Sequence, residues 1–186
     1  MKIVVAITGA SGSLYAHLLL KKLEELSDQY ERVDLIFSET ARPVWKYELP
    51  DIQPNQYPFK QFSPENFFAP MASGSAGYDR MIVIPCTMGT MARIAAGEAT
   101  DLITRSADVV LKERGRLILV TREAPLSLIH LQNMVRITEA GGIICPANPS
   151  FYSHPKNIEE LANTVVNRAL RLAGLEVYNK GFMSEY

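Results

Sequence analysis

The chain reads as an α/β fold, a parallel sheet held between two layers of helices. Three observations predict it. Ile3–Ile7 and Met81–Pro85 are apolar without alternation, and Val33–Phe37 and Arg116–Thr121 are similar short runs. Unalternated strands are buried on both faces, as in a parallel sheet. A stretch of helical period follows each of them, the pattern of right-handed β-α-β crossovers. The first strand also runs directly into Thr8-Gly9-Ala10-Ser11-Gly12-Ser13. Small residues there bring backbone N–H groups close to a ligand, and the helix start behind them favours an anion.

The elements follow in order. Leu14–Leu26 carries leucines at helical spacing with lysines and glutamates outside, so it is an amphipathic helix. His17 within it reads as a packing or surface histidine, with no catalytic partner nearby in sequence. Ser38 reads as the N-cap of a helix over Glu39–Glu48, with Pro43 limiting its first turn. Residues 49–78 hold five prolines and four phenylalanines with no period; they read as an ordered excursion over a site or a neighbouring subunit. Helices are expected over Thr87–Gly97, Asp101–Glu113, Ser127–Ala140 and Asn157–Ala173, and a short fifth strand over Gly142–Cys145. A tail over 174–186, with Tyr178, Phe182 and Tyr186, shows no firm period. One domain, 1–186, is expected.

Composition narrows the function. A chain of 186 residues can bury a sizeable core. A net charge of −1 gives no reason to expect a nucleic-acid or membrane-surface partner. The N-terminal apolar run is too short for a membrane span and lacks a cleavage site, so a cytoplasmic protein is expected. Cys86 and Cys145 have no metal-ligand spacing and read as reduced core residues.

In a sheet of order 2-1-3-4-5, strands one and three flank the switch point where ligands bind. The loops there are Gly9–Ser13 and Cys86–Thr90, both rich in small or hydroxyl residues and both opening helices. The first departs from the dinucleotide fingerprint, with Tyr15 at the third glycine position. By itself it is a phosphate cradle or a tight turn; the two loops together favour a phosphate-bearing ligand. Three other stretches are unusual for scaffold. Lys112-Glu113-Arg114-Gly115-Arg116 complements a helix C-terminus or serves a site. Arg122 and Glu123 follow the fourth strand, as a surface ion pair or as groups facing the crevice, and their position favours the crevice. Tyr152 precedes the closing helix, where it caps the core or bonds an anion.

These stretches together resemble the UbiX/Pad1 flavin prenyltransferases. The resemblance rests on TGASG (8–12), the helix from Ser38 to Glu48, ASGS (72–75), PCTMGTMARIAAG (85–97), DLITRSADVVLKER (101–114), LILVTREAPLSLIHLQNM (117–134) and PANPSFYSHP (146–155). It implies a flavodoxin-like, Rossmann-like three-layer α/β subunit that binds FMN. It implies transfer of a dimethylallyl group from dimethylallyl monophosphate to N5 and C6 of reduced FMN. The product, prenylated FMN, serves UbiD-type decarboxylases. It also implies a homododecamer built of trimers, with the site between subunits.

Carried onto this chain, the resemblance assigns flavin contacts to Gly9, Ala10, Ser11, Ser38, Thr87, Met88, Gly89, Thr90 and Arg122. It assigns the dimethylallyl phosphate to Lys112, Arg122, Tyr152 and Arg168, where cations and a phenol suit a phosphate leaving group. Without the resemblance, Arg168 reads as a solvated charge. Ala72, Ser73 and Gly74, with the aromatic residues before them, wall an apolar slot for the prenyl group. Glu48 becomes the acid/base group near the flavin, with Ser11 and Glu123 hydrogen-bonded beside it. No metal is required. Thr87 stands where the family often has Ser, keeping the hydroxyl. The tryptophan often found before the ASGS loop has no counterpart; Phe67 or Phe68 occupies that region and Trp45 lies elsewhere.

Two other readings compete. One is a flavin-dependent decarboxylase acting on peptidyl cysteine, whose PASANT motif PCTMGTMARIAAG only echoes. No histidine falls at the start of the second helix, as that reading requires. The other is a non-catalytic FMN-binding subunit of a decarboxylase complex. The joint presence of Glu48, Lys112, Glu123, Tyr152 and Arg168 argues against it.

Overall fold

The computed structural model describes residues 1–177. Six parallel strands form one sheet of order β3-β2-β1-β4-β5-β6. They are β1 (Lys2–Ile7), β2 (Arg32–Phe37), β3 (Lys60–Phe62), β4 (Arg80–Cys86), β5 (Arg116–Thr121) and β6 (Ile143–Ile144). The helices are α1 (Ser13–Glu25), α2 (Ala41–Glu48), α3 (Met88–Ala95), α4 (Leu102–Lys112), α5 (Leu128–Glu139) and α6 (Ile158–Ala173).

Alternate residues of one strand enter opposite cores. Ile3, Val5 and Ile7 pack with α1 and α6, while Val4 and Ala6 pack with α3 and α4. Both faces are covered, which explains why these strands are apolar throughout. Asp34 is the exception in β2. Its buried carboxylate accepts hydrogen bonds from Arg32 Nε (2.6 Å) and from the Tyr78 hydroxyl. A buried carboxylate needs such partners to stay compatible with a core.

The strand order is the 2-1-3-4-5 arrangement supposed for the switch point, with one addition. The excursion over 49–78 supplies an edge strand, β3, in register with Asp34–Ile36 of β2. Three residues are too few to display a period, and the free edge of β2 provides the pairing. α2 begins two residues later than expected, although the Ser38 hydroxyl still accepts the Ala41 N–H at 3.2 Å. The first residues of four other expected helices become their N-caps. Thr87, Asp101, Ser127 and Asn157 each accept an N–H three residues on. No described helix is long and apolar enough to cross a membrane. The tail expected over 174–186 is described as far as Val177; Tyr178, Phe182 and Tyr186 lie outside the described residues.

Trp45 ties the excursion to the core. Its fully buried indole donates from Nε1 to the Ile52 carbonyl at 2.7 Å. It stands edge-on to Phe37 and Tyr57 at centroid distances of 5.7 and 6.3 Å. His17 is buried beside it and hydrogen-bonds the Tyr57 hydroxyl. Truncating Trp45 leaves a cavity and an unpaired carbonyl. Trp45→Ala is therefore expected to lower unfolding free energy by about 3–5 kcal/mol, measured by urea denaturation.

Candidate functional site at the carboxyl ends of the strands

β1 pairs with β2 on one side and β4 on the other, so the sheet reverses its order there. A single buried side chain joins the two loops above this point. The Thr8 hydroxyl donates to the Pro85 carbonyl at 2.7 Å and accepts from the Thr87 N–H at 2.8 Å. The Thr87 hydroxyl in turn caps α3, accepting from the Thr90 N–H at 3.1 Å and bonding the Thr90 hydroxyl at 2.9 Å. Met88 is buried, whereas Gly89 faces out; a Cβ placed on Gly89 meets nothing within 4 Å. The first turn of α3 thus leaves open space beside its N–H groups, which have no intrahelical acceptor.

The loop after β1 lies against the loop after β2. A Cβ on Gly9 would collide with Thr40, and the Thr40 hydroxyl lies 3.2 Å from that of Ser38. Thr40 carried no signal in the sequence, because only the fold brings it onto Gly9. Ser38, Thr40, Phe67 and Arg93 line a cavity of about 390 Å³. Phe67 is therefore the ring near this end of the crevice, while Phe68 is fully exposed. Ala10 is buried beneath the loop.

The start of α1 is already filled by the chain itself. Glu48, at the end of α2, accepts the Gly12 N–H at 2.9 Å and the Ser13 N–H at 2.7 Å. Burial works to raise its pKa. Hydrogen bonds from the Ser11 hydroxyl, the Gly12 and Ser13 N–H groups and the Ser13 hydroxyl outweigh burial and hold it below the usual carboxylate range. Gly12 adopts φ 119°, a conformation glycine takes without strain, and so presents its N–H to the carboxylate. Ser11, Tyr15, Glu48, Leu49 and Pro149 line a second cavity of about 330 Å³.

This arrangement corrects the expected Ser11–Glu123 pair. The Ser11 hydroxyl serves Glu48, and the exposed Glu123 carboxylate accepts the Ala124 N–H at 3.1 Å. The reason is proximity: Ser11 adjoins the helix start that draws Glu48 in, whereas Glu123 is satisfied within its own loop. Arg122 reaches the first loop through its backbone, donating from Nε to the Ser11 carbonyl at 3.0 Å.

The remaining cations are dispersed. Tyr152 and Arg168 share a third cavity, about 250 Å³, with Cys145 and Ser150. Pro149 faces the Glu48 cavity while Asn148 and Ser150 face this one, so the two cavities flank one turn. Lys112 lies elsewhere. It ends α4, four residues before β5 begins, and pairs with Glu113 beside Gly74. Arg122 follows the other end of β5, a six-residue strand about 20 Å long. Within one chain Lys112 and Arg122 do not meet. Ala72, Ser73 and Gly74 run along α4 toward Lys112: the Ala72 carbonyl accepts from Arg105, and Ser73 bonds Ser75.

The fold and crevice are those of an α/β flavoprotein, and residues 1–170 match the Flavoprotein family model. A flavin prenyltransferase UbiX from Methanocaldococcus jannaschii is 41% identical, with 95% of each chain covered. The structure of AnUbiX (PadA1) in complex with FMN and dimethylallyl pyrophosphate is 41% identical, with a TM-score of 0.88 over 97% of this chain and 98% of that one. A dodecameric FMN-dependent UbiX-like decarboxylase from Escherichia coli O157:H7 is 39% identical, with a TM-score of 0.92 over 99% and 100% of the two chains. The chain belongs to the UbiX flavin prenyltransferase family.

The bonds at Glu48 have a pH signature. Its pKa is lowered from an ordinary value of 4.5, so its stabilising effect is complete above that pH and is lost as pH falls through the folded-state value. Glu48→Gln is expected to cost about 1 kcal/mol at pH 7, with the gap from wild type closing in acid, measured by urea denaturation across pH 3–7.

Proposed function

We propose that this chain joins the dimethylallyl group of dimethylallyl monophosphate to N5 and C6 of reduced FMN. Its product is then prenylated FMN for a UbiD-type decarboxylase. The observation that carries the reading is the ionised Glu48 carboxylate, held by N–H groups next to the open, hydroxyl-capped start of α3. The relatives named above support the same activity.

The residues suit an FMN phosphate. The α1 start is taken by Glu48, so the phosphate falls to α3, where Thr87, Thr90 and the N–H groups of Met88 and Gly89 offer donors around open space. Ser38 lies across the crevice, and Gly9, Ala10 and Ser11 form its floor. Reduced FMN, when bound, supplies the nitrogen and carbon that accept the prenyl unit. Arg168 and Tyr152 hold the donor's phosphate and stabilise charge growing on it as it leaves. Glu48 takes the proton released when the second bond forms, a role that suits a carboxylate ionised at neutral pH. Ser11 orients it. Arg122 fixes the first loop and faces the same crevice. Phe67 excludes water from the prenyl group within the chain, and Ala72–Gly74, which lie beside Lys112, do so from another copy.

Lys112 joins this site only from another copy, given its place at the far end of β5. Exposed apolar residues on α5 (Leu128, Ile129, Leu131) and at Phe151 support contact between copies. A homododecamer with shared sites, in the cytoplasm, is the proposed state. Glu123 is assigned a supporting role at the crevice rim, and the protein is read as one domain.

Anaerobic incubation with reduced FMN and dimethylallyl monophosphate, followed by mass spectrometry of the released flavin, tests the reading. One added C5 unit and activation of an apo UbiD-type decarboxylase are expected; unmodified FMN overturns it. Arg168→Ala is expected to raise KM for the prenyl phosphate at least tenfold while FMN affinity changes little, as loss of a charge-assisted contact predicts. Glu48→Gln is expected to bind FMN but to fail in activating the decarboxylase.

A further inference from the structure

Glu48 owes its place to a short helix. α2 spans eight residues, of which Ala41 and Trp45 are buried. Trp45 stands three residues before Glu48, on the neighbouring turn, so the seating of its indole sets where the carboxylate lies. Phe37 and Tyr57 meet that indole edge-on, and the Ile52 carbonyl accepts its N–H. Tyr57 is fixed in turn from α1, where His17 Nδ1 hydrogen-bonds its hydroxyl. Ser13, which gives its N–H to Glu48, precedes His17 by about one turn of the same helix. The contacts close a ring: from Glu48 to Ser13, along α1 to His17, across Tyr57 to Trp45, and along α2 back to Glu48. Both bridging groups are uncharged at neutral pH. Burial, with Lys21 further along α1, lowers the His17 pKa from its ordinary 6.5 against the opposing effect of Glu159. Burial also pushes the Tyr57 hydroxyl up to about 12. A neutral pair keeps its hydrogen bond in the core without the cost of burying a charge.

We propose that His17 and Tyr57 are positioning residues for the acid/base carboxylate, holding α2 against α1 so that Glu48 stays at the start of α1. The inference rests on the prenyl-transfer reading above for the role of Glu48. Neither residue lines the Glu48 cavity, so their effect reaches the carboxylate through Trp45. Removing the Tyr57 hydroxyl leaves a buried imidazole nitrogen without this partner and frees the phenyl ring from α1. The indole packed on that ring shifts with it, and the Gly12 and Ser13 bonds to Glu48 loosen. Proton transfer depends on the base being in place when the second bond forms, so a small displacement is felt in the rate.

A double-mutant cycle in the free protein tests the link apart from turnover. Tyr57 and Glu48 lie on opposite sides of Trp45, and independent effects at the two positions add. The shift in urea midpoint caused by Glu48→Gln is instead expected to shrink by about half or more in the Tyr57→Phe and His17→Leu backgrounds, as coupled sites predict. His17→Asn, which keeps a polar atom in place of Nδ1, is expected to restore the wild-type shift. In turnover, Tyr57→Phe is expected to lower kcat for prenylated FMN formation about tenfold or more, with KM for FMN and donor within about twofold, as a misplaced base predicts. Additive midpoint shifts in both backgrounds, or a kcat left at the wild-type value, overturn the proposal. If wild type adds no C5 unit to FMN while the midpoint shift shrinks, the prenyl-transfer reading fails and the clamp on Glu48 stands. If C5 transfer proceeds and the effects add, the clamp fails and that reading stands.

Discussion

A sheet covered on both faces leaves polar chemistry only one place to go, the strand ends. Ile3 to Ile7 are all buried, alternately under α1 with α6 and under α3 with α4. No side chain from Ile3 to Ile7 can reach solvent without disrupting one of the two cores. The loops after β1, β2, β4 and β5 therefore carry the candidate site, and their mutual positions depend on how the strand ends are tied. Thr8 supplies that tie. Its hydroxyl is buried and fully used, joining the first loop to the cap of α3. A buried hydroxyl with both roles satisfied costs little and locks geometry, whereas an unpaired one costs about 1–3 kcal/mol.

Glu48 combines structure with chemistry. Helix starts attract anions, and this fold presents two of them at the switch point. One is occupied by the chain's own carboxylate and the other opens to space beside Gly89. On the reading proposed here, the division assigns the phosphate to the start of α3. It also places an ionised acid, bonded on several sides, within a cavity that Tyr15, Leu49 and Pro149 help to wall. A carboxylate held in this way keeps its charge despite partial burial, because the hydrogen bonds outweigh the desolvation.

The cations are separated by the same sheet. Arg122 lies beyond its carboxyl end, Lys112 beside its opposite end, and Arg168 with Arg171 on α6, in the cavity lined by Cys145 and Pro146. Mutual repulsion is small at such separations in salt, with a screening length of about 8–10 Å. Positive charge is thus spread until another copy of the chain brings the pieces together, on the reading proposed here. On that same reading, the exposed apolar residues of α5 and Phe151 are the surface offered for that contact.

Hydrophobic period and cap residues determined most of the fold from the sequence alone. They are local signals, repeated every two to four residues, and they placed five of the six described strands and all six described helices. β3 escaped because three residues carry no period and a free edge recruited them. The site was legible as residue types: hydroxyl loops at two helix starts, Arg122 after β5, and, through the family resemblance, Glu48, Tyr152 and Arg168. Which partner each group takes was decided only in three dimensions. Glu48 meets Gly12 across 36 positions, Thr40 backs Gly9, and Arg171 joins Arg168 over one cavity. Those pairings follow from where the strand ends and helix faces come to rest, which no local pattern records.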